Sequence, residues 1–353
     1  MRALVTGAAG FIGGHVVAAL AAHGAQVRAF DRDPPIAGSL PDTVEFMSGD
    51  ILDSDAMRRA VEGCDAVFHL AAVYSYARRD AALMRAVNVD GTRTVLDAAL
   101  RGKVRRVVHT SSCATCGPVA GRAATERDLP PPRELDVPYK RTKLDAERVA
   151  ITAARDGAEV IVVNPTVPVG PGDLRPTPTG KMVADVAQGR ARAYLARSTL
   201  NVVAVQDVAL GHVLAFERGR PGERYLLGGD NMAVREVFAV IARTAGLSPP
   251  RLPVPWTVAY AVAFLADAAL RPTGREQQLL MLDEVRAGRL PHLFDDAKAR
   301  AKLGYVSGPA IDALVEAARG ALARPERNEA STAAERSTRT RTDRGRAPPS
   351  SEI

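Results

Sequence analysis

Tyr139 and Lys143 stand four residues apart in Tyr139-Lys140-Arg141-Thr142-Lys143, a spacing that puts both side chains on one face of a helix. A phenol has an unperturbed pKa of about 10, so a tyrosine that moves protons near neutrality needs a positive charge beside it to favour the phenolate. Lowering the value to about 7 takes roughly 4 kcal/mol, within reach of a close ammonium in a partly dry site. Ordinary helix surfaces carry Tyr/Lys pairs too, so the pair gains meaning from what precedes it. Thr110-Ser111-Ser112 closes a run of β-branched residues. A serine hydroxyl at such a strand end can donate to a substrate oxygen while the phenol exchanges its proton. Ser112, Tyr139 and Lys143 are therefore the candidate catalytic residues. Ser111 reads as a packing or secondary hydrogen-bond residue, and Asn88 reads equally as pocket-lining or backbone-bonded.

A second constellation binds rather than reacts. Thr6-Gly7-Ala8-Ala9-Gly10-Phe11-Ile12-Gly13 is a G-x-x-G-x-x-G loop between a predicted strand and a predicted helix. Side chains at the glycines would hold the backbone away from a pyrophosphate, which sits at the positive end of the helix. Asp31 lies 18 residues past Gly13 at the end of the next predicted strand, where a carboxylate accepts from ribose hydroxyls and repels a 2′-phosphate. An NAD(P) cofactor is expected and NAD is favoured, although Arg32 is a residue that can accept the extra phosphate. Asp50 and Ile51, then Leu70, Ala71 and Ala72, end the following two strands, where open α/β sheets bind ligands. Phe11, Ile12 and Pro165 complete the cofactor set, together with Tyr139 and Lys143.

The elements that must position these groups follow from periodicity. Strands are predicted near Ala3–Thr6, Gln26–Phe30, Val44–Met47, Ala66–His69, Arg105–Thr110 and Glu159–Val163. Helices are predicted near Phe11–Ala22, Ser54–Val61, Ala81–Leu100 and Lys140–Arg155. Their alternation builds βαβ units and a parallel sheet, an α/β fold. Residues 1–165 are expected to form the dinucleotide-binding domain, with later strands returning to it. Prolines and glycines crowd the stretch from Pro168 to Gly180, as in an ordered loop that carries binding groups. Residues 166–320 then form a smaller C-terminal lobe for the substrate, and residues 321–353 a disordered tail too poor in apolar residues to fold.

Composition narrows the partners. With 46% hydrophobic and 25% charged residues the chain is globular. Its formal charge of +7 includes only +2 from the stretch after residue 323, where seven Arg face five acids, and the rest is dispersed. No basic block interleaved with aromatics appears, so a small-molecule substrate is expected and nucleic acid is not. Three cysteines suit a reducing compartment without a disulfide framework. The glycine pattern follows Met1 at once, and a cytoplasmic protein is the expectation. Val254–Leu265 is too short to span a bilayer of about 30 Å; it reads as a buried helix of the substrate lobe, with peripheral membrane contact as the minor reading. Cys113 and Cys116 form a C-x-x-C without a second ligand pair, so no metal site is expected. His69, His109 and His212 read as core or loop histidines. Arg175, Lys181 and Arg235 read as surface charge or as contacts to an anionic substrate.

The ordered set Thr6–Gly13, Asp31, Leu70–Ala72, Ser112 and Tyr139/Lys143 resembles the extended short-chain dehydrogenase/reductase superfamily over residues 1 to about 320. The resemblance implies a Rossmann doubly wound parallel sheet, an NAD(P) cofactor and a Ser–Tyr–Lys triad at Ser112, Tyr139 and Lys143. A narrower likeness, to the hopanoid-associated sugar epimerase group and to dihydroflavonol 4-reductases, rests on Tyr139–Lys143, Val163–Pro171, Arg175–Lys181 and Glu217–Tyr225. The sequence departs from that group at Asp31, where an apolar residue followed by Arg is usual, and this argues against NADP. Sugar dehydratases of the superfamily carry an Asp–Glu pair where Ser111-Ser112 stands, so dehydration is not expected. The expected activity is hydride transfer at a secondary alcohol or ketone of a sugar or nucleotide-sugar. A carbonyl reductase of the dihydroflavonol 4-reductase type is the alternative, and a non-catalytic NAD(P)-binding redox sensor is the alternative of another class. A homodimer paired through two sheet-flanking helices is expected.

Overall fold

A computed structural model describes residues 1–270 and 281–323. Strands β1 (Arg2–Thr6), β2 (Gln26–Asp31), β3 (Glu45–Ser48), β4 (Ala66–His69), β5 (Arg106–Thr110) and β6 (Val160–Pro165) alternate with helices α1 (Phe11–Ala22), α2 (Ser54–Val61), α3 (Ala81–Arg85), α4 (Gly91–Arg101) and α5 (Pro138–Arg155). The chain continues through β7 (Val167–Val169), α6 (Pro178–Ala187), β8 (Ala193–Leu195), β9 (Thr199–Ala204), α7 (Val205–Arg218), β10 (Arg224–Leu227), β11 (Asp230–Ala233), α8 (Val234–Thr244) and β12 (Leu252–Val254). Helices α9 (Trp256–Leu270), α10 (Leu282–Ala287), α11 (Ala297–Leu303) and α12 (Ala310–Leu322) follow.

Seven strands make one parallel sheet in the order β10-β6-β5-β4-β1-β2-β3. Strands β4 and β6 are buried throughout and read as apolar runs, Ala66–Phe68 and Val160–Val163, that give way to polar residues only at their carboxyl ends, His69 and Asn164. Alternate residues feed two cores. Val108, Ile161 and Val163 pack with residues of α1 and α7, while Val67, Val107 and Val162 pack with those of α2, α4 and α5. The order reverses between β1 and β4. Thr6 stands opposite His69 there, so the carboxyl ends of both strands open onto the crevice where such sheets bind ligands.

The doubly wound architecture matches the expectation, with differences at three places. The helix expected over Ala81–Leu100 is α3 and α4 joined by a π-helical turn, Ala86–Asp90, which carries Asn88. The helix expected from Lys140 begins at Pro138, a residue suited to a first helical position because its missing N–H would find no intrahelical partner. Val254–Leu265, expected as a buried helix, contributes most of α9, of which only Ala259 and Ala263 are buried. Outside the main sheet, β11-β9-β7 and β12-β8 form two small sheets, and α6, α8 and α12 share a separate core. Helix α12 continues to Leu322, past the expected start of the tail; the tail from residue 324 lies outside the described residues.

Candidate active site

Glycines 7, 10 and 13 build the turn between β1 and α1, each for its own reason. Gly7 has φ +71°, in the left-handed region, and a Cβ there would stand 2.6 Å from the Ala71 amide nitrogen. A Cβ on Gly13 would lie 2.0 Å from the Gly7 carbonyl oxygen, so α1 can sit against the turn only without one. Gly10 is the N-cap of α1 and supplies no side-chain bond, so the N–H groups of the first turn, from Phe11 and Ile12, are left as donors. Asp31, at the end of β2, accepts from the Ala9 amide at 3.0 Å through Oδ2 and from Asp33 N at 3.3 Å through Oδ1. Its carboxylate is thereby fixed beside the glycine turn. The Arg32 side chain is 62% exposed and lies 3.8 Å from Asp33.

The ends of β3 and β4 close the crevice. Asp50 accepts from Leu52 N at 2.9 Å, and Ile51 is buried, occupying the space that a Cβ on Gly91 would need. Leu70 and Ala71 are half-buried, Ala72 is exposed, and Pro165 is buried at the end of β6. A chain of hydrogen bonds joins the two strand ends. The Ala71 amide donates to Thr6 Oγ1, which lies 2.8 Å from His69 Nδ1, and His69 Nε2 lies 3.0 Å from Thr92 Oγ1. Thr92 gives its proton to the Asn88 carbonyl, so His69 must donate from Nε2 and accept at Nδ1. Burial, with Lys143 acting in the same direction, lowers the His69 pKa to about 3, and the ring is neutral. Asn88 does use backbone partners, but not those of its own helix. Its side chain accepts from Val73 N at 2.7 Å, donates to Val73 O at 3.0 Å and donates to Thr142 Oγ1 at 3.1 Å. The π turn therefore ties the segment after β4 to α5, one residue from Lys143.

Ser112 and Tyr139 are neighbours, and Lys143 follows Tyr139 by one turn of α5. The Ser112 hydroxyl accepts from Ala114 N at 3.2 Å and neighbours the Tyr139 phenol, whose pKa it pulls down. Lys143 is buried and donates from Nζ to the Thr110 carbonyl at 2.7 Å. Burial pulls the ammonium down to about 8, against an opposing pull from Glu147. The phenol departs from expectation. Burial pushes the Tyr139 pKa up, Tyr74 adds to the rise, and only the Ser112 hydroxyl among the larger effects lowers it. In the chain alone, then, desolvation outweighs any help from the ammonium, whose hydrogen bond goes to Thr110 instead.

Under Ser112 lies a buried polar cluster that the sequence reading missed. Asn164 Nδ2 donates to Ser112 O at 3.1 Å, Thr115 Oγ1 at 2.9 Å and Glu147 Oε2 at 2.7 Å. Arg224 Nε lies 3.0 Å from Glu147 Oε1, and its Nη2 donates to Thr115 O at 2.8 Å. Glu147 continues the four-residue spacing of Tyr139 and Lys143 along α5, a local signal that could have marked it. Tyr74 and Tyr76, in the loop after β4, were also missed. The Tyr74 ring centroid is 4.3 Å from that of Tyr139, and the Tyr74 and Tyr76 hydroxyls are 3.2 Å apart. Cys113 and Cys116 are buried free thiols. Burial pushes Cys113 up to about 11, and no group of three or more metal-ligating side chains occurs among the described residues. Arg175 donates to Pro34 O, Lys181 pairs with Asp185 and Arg235 lies near Glu236, so each of the three candidate anion contacts is engaged.

Residues 3–228 match the model of the NAD dependent epimerase/dehydratase family. The chain belongs to this family. It is 35% identical to a dihydroflavonol 4-reductase-like protein of Synechocystis sp., over 89% of this chain and 92% of that one. It is also 35% identical to sterol demethylase protein B of Methylococcus capsulatus, over 87% and 94% respectively. Its fold superposes on a solved dTDP-glucose 4,6-dehydratase double mutant of Streptomyces venezuelae holding NAD, with TM-score 0.75, 25% identity and coverage of 92% and 98%. These are enzymes of the extended short-chain dehydrogenase/reductase type, and this family member is an enzyme likewise. The residues present fit a dinucleotide. A turn that tolerates no Cβ at two glycines, a helix start without a side-chain cap and an oriented carboxylate stand together at the sheet's switch point.

Proposed function

We propose that this family member is a reductase or dehydrogenase that interconverts a ketone and a secondary alcohol on an apolar, ring-bearing substrate, with NAD(H) preferred. The single observation that carries the reading is the Tyr139 phenol, whose pKa the neighbouring Ser112 hydroxyl pulls down and whose ring lies 4.3 Å from that of Tyr74. In reduction, Tyr139 gives its proton to the substrate oxygen while Ser112 donates a hydrogen bond to the same atom. Lys143, four residues along α5, supplies the positive charge that offsets the phenolate left behind. The bound nicotinamide supplies the hydride in reduction and takes it in oxidation. Phe11 and Ile12 hold the pyrophosphate through their amides, Asp31 the adenosine ribose, and Asp50, Ile51 and Leu70–Ala72 line the remaining cofactor crevice.

Two tyrosines beside the reacting phenol, Tyr74 tilted against its ring and Tyr76 edge-on to Tyr74, suit a flat apolar ring better than a hydroxylated sugar, and the engaged state of Arg175, Lys181 and Arg235 offers little to a diphosphate. Two relatives are named for a dihydroflavonol and a sterol. A nucleotide-sugar epimerase of the hopanoid-associated type is the second reading, favoured by the likeness over Val163–Pro171 and by the fold shared with a dTDP-glucose enzyme. The two separate in one assay. Oxidation of added NADH by a dihydroflavonol or a 3-ketosteroid, with none by UDP-glucose, supports the first reading. Turnover of UDP-glucose with copurified NAD that is never net reduced replaces it with the second.

A further inference from the structure

Helix α9 presents to solvent a face that a globular protein has reason to hide. Leu252, just before it, is 61% exposed, and Val258, Val262, Phe264 and Leu265 are 51%, 54%, 47% and 66% exposed. With Thr257, Ala261, Ala268 and Ala269 these exposed residues fall on one side of the helix, an arc of about 160° at 100° per residue. No charged residue occurs from Trp256 to Ala266. The other side holds α9 to the protein. Trp256 donates from its indole to Val285 O at 2.8 Å and stacks on Tyr260, while Ala259 and Ala263 pack with Leu282 and Val285 of α10.

We propose that this face of α9 rests on the surface of an anionic lipid bilayer and makes the protein peripherally membrane-bound, a proposal independent of the substrate reading above. A helix of 15 residues is about 22 Å long and about 10 Å wide. The five large apolar residues of this face expose roughly 500 Å² of accessible surface, less than the ~800 Å² per partner of a stable protein interface, so a second copy is the poorer occupant. A bilayer imposes no such minimum, because an amphipathic helix lies in the headgroup region with its apolar side immersed to about 5–10 Å. Charge complementarity selects the lipid. Exposed Arg251 stands beside the exposed Leu252 ahead of α9. The whole chain carries +7, so anionic headgroups are favoured over zwitterionic ones. Contact is peripheral because no helix among the described residues is long and apolar enough to cross a membrane.

The test is co-sedimentation of the full chain with vesicles of phosphatidylcholine containing phosphatidylglycerol, and with phosphatidylcholine alone. The parent should bind the mixed vesicles, more weakly at high salt and more weakly still without the anionic lipid. A triple variant, Val262→Ser, Phe264→Ser and Leu265→Ser, leaves every charge in place. It should bind at least about tenfold more weakly while its melting temperature and NADH affinity stay unchanged. The proposal is overturned by a parent that stays in the supernatant, or by a variant that binds as well as the parent, since the basic residues alone then suffice. A variant that melts several degrees lower shows the face to be covered by protein, and a parent dimer that the variant dissociates shows the occupant to be a second copy; either result overturns it too.

Discussion

The Tyr74 ring lies 4.3 Å from the Tyr139 ring, centroid to centroid, with an interplanar angle of 33°. Tyr74 comes from the loop after β4 and Tyr139 from the first turn of α5, and Asn88 couples that loop to that helix by bonding Val73 and Thr142. The stack is thus held from both sides. Replacing Tyr74 with Ala should raise KM for a ring-bearing ketone by about tenfold, the loss of one aromatic contact with its buried area, with a smaller change in kcat. Steady-state kinetics against a small acyclic ketone provides the control: an equal loss there would show that Tyr74 acts on the phenol and not on the substrate.

Tyr139→Phe removes the proton donor but leaves the ring stack and the cofactor crevice intact. Turnover should fall by a factor of about 10² to 10⁴, the usual contribution of a positioned acid or base. Quenching of protein fluorescence by NADH should give the parent's affinity. Retained turnover would make Tyr139 a structural residue.

Asp31→Asn keeps an oxygen for the Ala9 amide and deletes the charge facing a 2′-phosphate. The ratio of kcat/KM with NADPH to that with NADH should rise by at least about tenfold, or ~1.4 kcal/mol. An unchanged ratio would mean that Arg32, and not the carboxylate, sets cofactor preference.

Gly13→Ala places a methyl 2.0 Å from the Gly7 carbonyl oxygen, and backbone must move to admit it. A cost of about 1–3 kcal/mol is expected, with loss of dinucleotide binding as the turn opens. At the neighbouring Gly14 a Cβ would meet nothing closer than 3.8 Å, so Gly14→Ala should be neutral or stabilising through helix propensity. Thermal melts of both variants, with and without NADH, check the contrast.

Lys143 is held in the folded chain at about 8, below its value of 10.5 in the absence of burial. Between those values the unfolded chain binds the extra proton, so its contribution makes stability rise with pH across that window. Below about pH 8 the folded state carries the full desolvation cost. Lys143→Met should therefore be more stable than the parent at pH 7, by about 1–3 kcal/mol, and inactive. The difference should shrink as pH rises from 8 to 10.5. Denaturant midpoints measured across that range test the sign; a variant less stable at pH 7 would show that the Lys143–Thr110 hydrogen bond outweighs burial.

Whatever depends on neighbours along the chain could be read without coordinates. The glycine spacing at 7, 10 and 13 and the four-residue step from Tyr139 to Lys143 report local backbone geometry, and the alternation of apolar strands with amphipathic helices implies right-handed crossovers and a parallel sheet. What depended on residues far apart was decided only by folding. Tyr74 reaches Tyr139 across 65 positions, and Glu147 meets Asn164 and Arg224 only once α5, β6 and β10 pack side by side. The direction of the Tyr139 pKa follows from how much water the packed site excludes, which no spacing encodes. Helix α9 makes the same point from the surface: an apolar run reads alike whether it is buried or bare, because periodicity reports which residues share a face and tertiary contact alone determines what covers it.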